Sequence, residues 1–270
     1  MSETATAAAR SLPSHADGRT LSVRALGKSY GTGAQENWII RNLDLEVPPG
    51  EFVAIVGPSG VGKTTLLRSL SGLVPPTEGG VFIDGSPLAE PHPEVGVVFQ
   101  DYSRSLLPWM TTLDNVAFPL QGKGMKKGER LAIAEKNLAA VGLAGKGHLY
   151  AWEMSGGMQQ RVAIARALAY DSKILLMDEP FASVDAQTRL DLEDLVVDLH
   201  VNLGVTIILV THDIDEALYL ADRVVVIADK PAHVVDQIET GFGSHRDQVE
   251  TRADPRFAEA RGRILTRLRA

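Results

Sequence analysis

Apolar residues along this chain gather in short, dense runs. Phe52–Val56, Ile174–Met177, Thr206–Val210 and Val224–Ile227 are the clearest, each about the length of a strand and most rich in β-branched residues. Continuous apolar runs of this kind mark strands buried on both faces. Between them the spacing becomes helical, with Leu66, Leu67, Leu70 and Leu73 after the first run, stopped by Pro75-Pro76. A second helical pattern, Leu131, Ala134, Leu138 and Val141, lies in a middle stretch that has lost the β-branched runs. Gly31–Gly33 and Pro48-Pro49-Gly50 punctuate earlier strands that begin at Leu21, and Val81–Ile83 followed by Asp84-Gly85 reads as a strand entering a tight turn. Strands alternating with helices predict an α/β fold on a mainly parallel sheet covered on both faces. Residues 1–18 read as a disordered tail, 19–245 as one domain with a helical insertion over about 103–158, and 246–270 as a short C-terminal helical tail.

Composition narrows the function classes. The 270 residues are 44% hydrophobic and 23% charged, which suits one large packed domain and not a disordered chain. A formal net charge of −7 disfavours general nucleic-acid binding. With no cysteine, a disulfide scaffold, a thiolate metal site and a thiol nucleophile are all excluded. The longest apolar runs, Val205–Val210 and Val224–Ala228, fall far below the ~20 residues that cross a bilayer. The N-terminal stretch lacks the apolar segment of a secretion signal. Five arginines, Arg256, Arg261, Arg263, Arg267 and Arg269, fall in the last fifteen residues, on what reads as a solvated helix face; contact with anionic lipid or a partner is the alternative.

The chemistry begins where the first buried strand ends. Gly57-Pro58-Ser59-Gly60-Val61-Gly62-Lys63-Thr64 fits G-x-x-x-x-G-K-[ST], between an apolar strand and a helix, and Thr65 continues the stretch. Glycines let backbone amides turn inward around a phosphate, and the helix N-terminus adds its dipole. Lys63 is placed to reach the β- and γ-phosphates of ATP, and the Thr64 hydroxyl to ligate Mg²⁺. Such a site needs a carboxylate for the metal shell. Asp178 supplies one at the C-terminal end of a buried strand, and Glu179, the next residue, is available to polarise an attacking water.

Met154-Ser155-Gly156-Gly157-Met158-Gln159-Gln160-Arg161 resembles the signature of ATP-binding cassette (ABC) ATPases, usually written L-S-G-G-Q. Over roughly residues 20–240 the family's other motifs occur in order. The resemblance implies a P-loop fold with an N-terminal antiparallel β subdomain and a helical subdomain, and two copies placed head to tail around two ATP molecules. Ser155, Gly156, Gly157 and Met158 would then meet the γ-phosphate held by the opposite copy. It implies that Tyr30 stacks on adenine, that Gln100 joins the Mg²⁺ and water shell, that Ser183-Val184-Asp185 crosses the dimer interface, and that His212 touches the γ-phosphate and orients the water. Met154 and Met158 depart from the usual Leu and Gln.

Leu106-Leu107-Pro108-Trp109-Met110 with Leu113-Asp114-Asn115-Val116 resembles the ATPases of nitrate, sulfonate and taurine importers. That implies transmembrane permease subunits contacted near Trp109, an extracytoplasmic solute-binding protein acting indirectly, no nucleic acid, and a peripheral position on the cytoplasmic face of the plasma membrane. Trp109 reads equally well as a core residue of the helical insertion. The alternatives are an ABC ATPase of lipid or lipoprotein export, which shares every motif, a non-transport ABC protein, and a P-loop kinase, which needs no signature.

Overall fold

The computed structural model describes residues 19–101 and 105–269. The tail read at 1–18, and the start of the helical insertion at 103, lie outside the described residues. A four-stranded antiparallel sheet has the order β2-β1-β4-β5, from β1 (Leu21–Tyr30), β2 (Asn37–Val47), β4 (Glu78–Ile83) and β5 (Ser86–Pro87). The turn Asp84-Gly85 joins β4 to β5 with both residues at positive φ, 49° and 78°, the geometry of a two-residue hairpin.

A six-stranded sheet has the order β10-β9-β3-β8-β7-β6. Its strands are β3 (Phe52–Val56), β6 (Val95–Val98), β7 (Ile174–Asp178), β8 (Thr206–Thr211), β9 (Arg223–Ala228) and β10 (His233–Glu239). All its pairings are parallel except β9 with β10. Every residue of β3, β7 and β8 is buried, as their unbroken apolar sequences require.

The period-2 alternation of those strands divides the interior into two cores. Phe52, Ala54, Val56, Leu175, Met177, Ile207 and Leu209 face one way. They meet α4 (Gly156–Ala169), α5 (Ala186–Leu203), α6 (Ile214–Leu220) and α8 (Pro255–Arg269). Val53, Ile55, Ile174, Leu176, Ile208 and Val210 face the other way, against α1 (Lys63–Leu70) and the antiparallel sheet. The first core continues into α2 (Thr112–Ala117) and α3 (Lys127–Ala140), so the helical insertion is packed onto the body through α4. A short α7 (Glu250–Ala253) precedes α8.

One expectation is corrected. The spacing carries α1 on to Leu73, with the prolines as the stop, whereas the helix ends at Leu70. Gly72 has φ 73°, its amide donates to the Ser69 carbonyl, and the Leu73 amide reaches back to that of Arg68. This is a Schellman turn; it leaves Leu73 outside the helix and about half exposed. The five arginines of α8 are all exposed, as a solvated helix face requires. Arg263 and Arg267 both pair with Asp236 of β10, Arg261 with Asp215 of α6 and Arg256 with Asp254. Acids of the domain itself thus lie beside four of these five exposed arginines.

Candidate active site

The strand order places the candidate residues at one edge of the sheet. β3, β8, β7 and β6 lie side by side and parallel, so their C-terminal ends emerge together. The loop 57–62 follows β3, His212 follows β8, Glu179 follows β7 and Gln100 follows β6. Residues far apart in sequence thus meet at the end of the sheet where α/β folds bind ligands.

The glycines of the loop have separate reasons to be glycine. A Cβ on Gly57 would stand 2.5 Å from the Ile227 carbonyl oxygen of the neighbouring β9. Gly60 and Gly62 take φ of 72° and 120°, which side chains disfavour. Gly62 starts α1 with no side-chain cap, so the first amides of that helix, over Gly62–Thr65, lack helical acceptors and are available to an anion. Pro58, Ser59, Gly60 and Thr64 are exposed, and Val61 anchors the loop in the core. Lys63 is only 6% exposed, and its ammonium donates to the Gly57 and Pro58 carbonyls at 2.9 and 3.2 Å. Burial draws its pKa down; Glu179 and Asp178 oppose that shift.

The Thr64 hydroxyl donates to Asp178 Oδ1 at 3.3 Å. Burial pushes the Asp178 carboxyl above its usual range, the Thr64 bond working the other way. A buried carboxylate beside a hydroxyl is an all-oxygen donor set that suits Mg²⁺, so the residues present fit that ion. Gln100 Nε2 donates to Glu179 Oε2 at 3.3 Å, and His212 Nδ1 lies 3.1 Å from the same oxygen. Glu179 is held at φ 43° with its amide bonded to the Val210 carbonyl at 2.8 Å. A non-glycine residue in this region costs on the order of 1–3 kcal/mol and is a feature of functional sites.

Tyr30 ends β1 with its ring 46% exposed and the Lys28 ammonium 5.2 Å from the ring centre. Ser155 caps α4, its hydroxyl accepting from the Met158 amide at 3.4 Å. Ser155 is exposed and Gly156 partly so, while Gly157 is buried. Both departures from the signature consensus are apolar positions: Met154 is buried with its sulfur accepting from the Thr112 hydroxyl, and Met158 packs at the edge of the core. Asp185 caps α5, accepting from the Thr188 amide and hydroxyl at 3.0 and 2.7 Å.

Three features escape a reading of the sequence. Thr188 backs Gly157, Arg189 reaches Asp213 at 3.5 Å, and the buried Glu216 lines a small cavity with His212. The one local signal, Asp213-x-x-Glu216, has capping-box spacing. In the structure the Asp213 amide donates to Thr211 Oγ1 at 3.0 Å instead, and Glu216 turns inward.

Comparison with known proteins places the chain in a family. The family model for ABC transporters matches residues 40–182. The nitrate transport protein NasD of Klebsiella oxytoca is 41% identical over 91% of this chain and 94% of its own length. The taurine import ATP-binding protein TauB of Yersinia pestis is 41% identical over 84% and 89%. An ABC transporter ATP-binding protein of Methanocaldococcus jannaschii reaches 45% over 92% and 91%. Among solved structures, a dimeric ATP-binding cassette in a post-hydrolysis state with ADP and Pi superposes with a TM-score of 0.71 at 33% identity, covering 82% of this chain and 98% of that one. The chain therefore belongs to the ABC transporter family, as an ATP-hydrolysing cassette related to the ATP-binding subunits of nitrate and taurine importers.

Proposed function

We propose that this chain energises an importer for a small anion of the nitrate, sulfonate or taurine type, working as a head-to-tail pair on the cytoplasmic face of the membrane. The observation that carries the hydrolytic part is the convergence of Gln100 and His212 on one oxygen of Glu179, next to the Thr64–Asp178 pair. ATP stacks on Tyr30, and its phosphates lie along the amides of residues 57–65. Thr64, Asp178 and Gln100 would hold Mg²⁺, which would neutralise phosphate charge. A second copy presents Ser155 and Gly156 to the γ-phosphate, and residues 183–185 line the shared face. Glu179 accepts a proton from the attacking water, and His212 orients that water and bears on the γ-phosphate. The water oxygen attacks the γ-phosphorus in line as the β–γ P–O bond breaks and ADP leaves, so these groups need only be in place and no covalent enzyme intermediate forms. Loss of the γ-phosphate removes the charge that bridges the copies, and they separate.

The importer reading draws on the relatives named above, two of which carry nitrate and taurine in their names. No helix among the described residues is long and apolar enough to cross a membrane, so permease subunits supply the passage. Trp109 is 70% exposed, which favours the docking reading over the core one. It borders a cavity of about 320 Å³ with Met110, Lys127, Arg130 and Tyr150, and Tyr150 stacks on the exposed Trp152 at 4.6 Å between ring centres. An aromatic rim around a partly apolar hollow suits insertion of a permease helix. The test is Glu179→Gln with Mg²⁺ and ATP. A stable dimer on size-exclusion chromatography, with hydrolysis lowered by two orders of magnitude or more, is expected. Normal turnover overturns the assignment of Glu179.

A further inference from the structure

The group behind the catalytic histidine is another carboxyl. Glu216, in the first turn of α6, is 5% exposed. It shares a cavity of about 60 Å³ with Glu179, Arg189, Thr211, His212 and Asp213. Its Oε1 and the Arg189 Nε are both buried without a hydrogen-bond partner.

We propose that the Glu216 carboxyl is a positioning residue for ATP hydrolysis, holding the turn Thr211–Asp213 so that His212 stays against Glu179. The inference rests on the reading of Glu179 and His212 as the hydrolytic pair. Thr211 links the two parts of the turn: its hydroxyl accepts from the Asp213 amide, and it lines the same small cavity as the Glu216 carboxyl. Asp213 in turn accepts the amides of Asp215 and Glu216 at 2.9 and 3.1 Å and fixes the start of α6. His212 sits between these two anchors and meets Glu179 at 3.1 Å.

The arrangement requires Glu216 to be uncharged. Burial, then the nearby Asp213 and Glu193, push its pKa up to about 8, with Thr211 and Arg189 acting against the shift. The groups facing it are therefore Thr211 from β8, Asp213 and His212 from the turn, Glu179 from the end of β7, and Glu193 and Arg189 from α5. Glu193 is itself paired with Arg252 of α7 at 2.7 Å. Ionised, Glu216 places a second anion beside Asp213 and draws Arg189, whose Nε already lacks a partner, away from the Asp213 carboxylate that caps α6. The turn carrying His212 then loses one of its two anchors.

The experiment compares the full-length wild type with Glu216→Gln and Glu216→Ala in steady-state ATPase assays from pH 6 to pH 10. Glu216→Ala is expected to lower kcat at pH 7 by on the order of tenfold with KM for ATP unchanged, since a small displacement of a positioned group costs this much or more. The wild type is expected to lose kcat as pH rises through 8, and Glu216→Gln, isosteric with the neutral acid, to match the wild-type rate at pH 7 and to lack that alkaline fall. Melting curves without nucleotide provide a readout independent of turnover: the gap between Glu216→Gln and wild type should widen from pH 5 to pH 8. A gap that stays constant with pH, or alkaline limbs of kcat that superimpose for wild type and Glu216→Gln, overturns the proposal. His212→Ala is assayed beside them. Normal hydrolysis by that variant refutes the role of His212 and with it this inference, whereas a pH-dependent melting gap then still records a buried neutral Glu216 without a catalytic consequence.

Discussion

The methyl group of Thr188 lies 2.2 Å from the point where a Cβ on Gly157 would stand. This contact joins the tip of the signature helix α4 to the first turn of α5, and Thr188 cannot easily swing aside. Its hydroxyl donates to Asp185 at 2.7 Å, and its amide donates to the same carboxylate. The signature tip therefore packs directly on the capped first turn of α5, and Gly157 is glycine for packing within its own copy as well as for any phosphate contact.

Gly157→Ala is expected to displace α4 from α5, costing about 1–3 kcal/mol of stability as overpacked cores do, and to lower ATPase activity. Thr188→Ser removes the offending methyl and keeps the hydroxyl on Asp185. The double variant Gly157→Ala/Thr188→Ser should therefore regain most of the lost stability, a coupling readable in a double-mutant cycle by denaturant melts. Additive losses would show that the contact is not what makes the position glycine.

Trp109→Ala should separate hydrolysis from coupling. The indole is exposed, in a turn before α2, and borders a cavity that none of Lys63, Asp178 or Glu179 lines. Basal turnover of the isolated chain is expected to stay within about twofold, as for surface changes away from a site. Co-purification with the permease subunits, and solute-stimulated ATPase activity of the assembled complex, should fall sharply. Unchanged assembly would remove Trp109 from the docking surface.

The sequence is legible where local spacing alone sets the chemistry. The loop 57–64 and the pair Asp178-Glu179 stand out because phosphate and metal binding need those residue types in consecutive positions. Strands β3, β7, β8 and β9 stand out because they are buried on both faces. β6 leaves only a weak mark: it has four residues, lies at a sheet edge, and contains Gly96, which is kept small by Ser172 2.7 Å from its would-be Cβ. β10 is half-polar for a similar reason, being the other edge. Thr188, Arg189 and Glu216 carry no local signal of their roles, because those roles arise where α5 meets α4 and α6. Glu216 would even mislead, since its spacing from Asp213 suggests an exposed reciprocal cap and the structure buries it.

Asp236 gives the C-terminal helix its attachment. Arg263 and Arg267 both bind its carboxylate, and the Arg263 contact chiefly holds its pKa below the usual value. A depressed carboxyl stabilises the folded state above its unfolded pKa and loses that contribution as pH falls through the lower, folded value. Docking of α8 should therefore be firm at neutral pH and weaken in acid, and high salt should weaken it too because the arginines are exposed. Asp236→Asn is expected to speed hydrogen exchange and proteolysis within residues 255–269 at pH 7. Wild type and variant should converge once the pH falls below the depressed Asp236 value. Phe257 and Ile264 remain buried on the same helix, so detachment should be partial and the melting temperature of the main domain little changed. A variant whose α8 exchanges at the wild-type rate at pH 7 would show that those two apolar residues, and not the ion pairs, hold the helix.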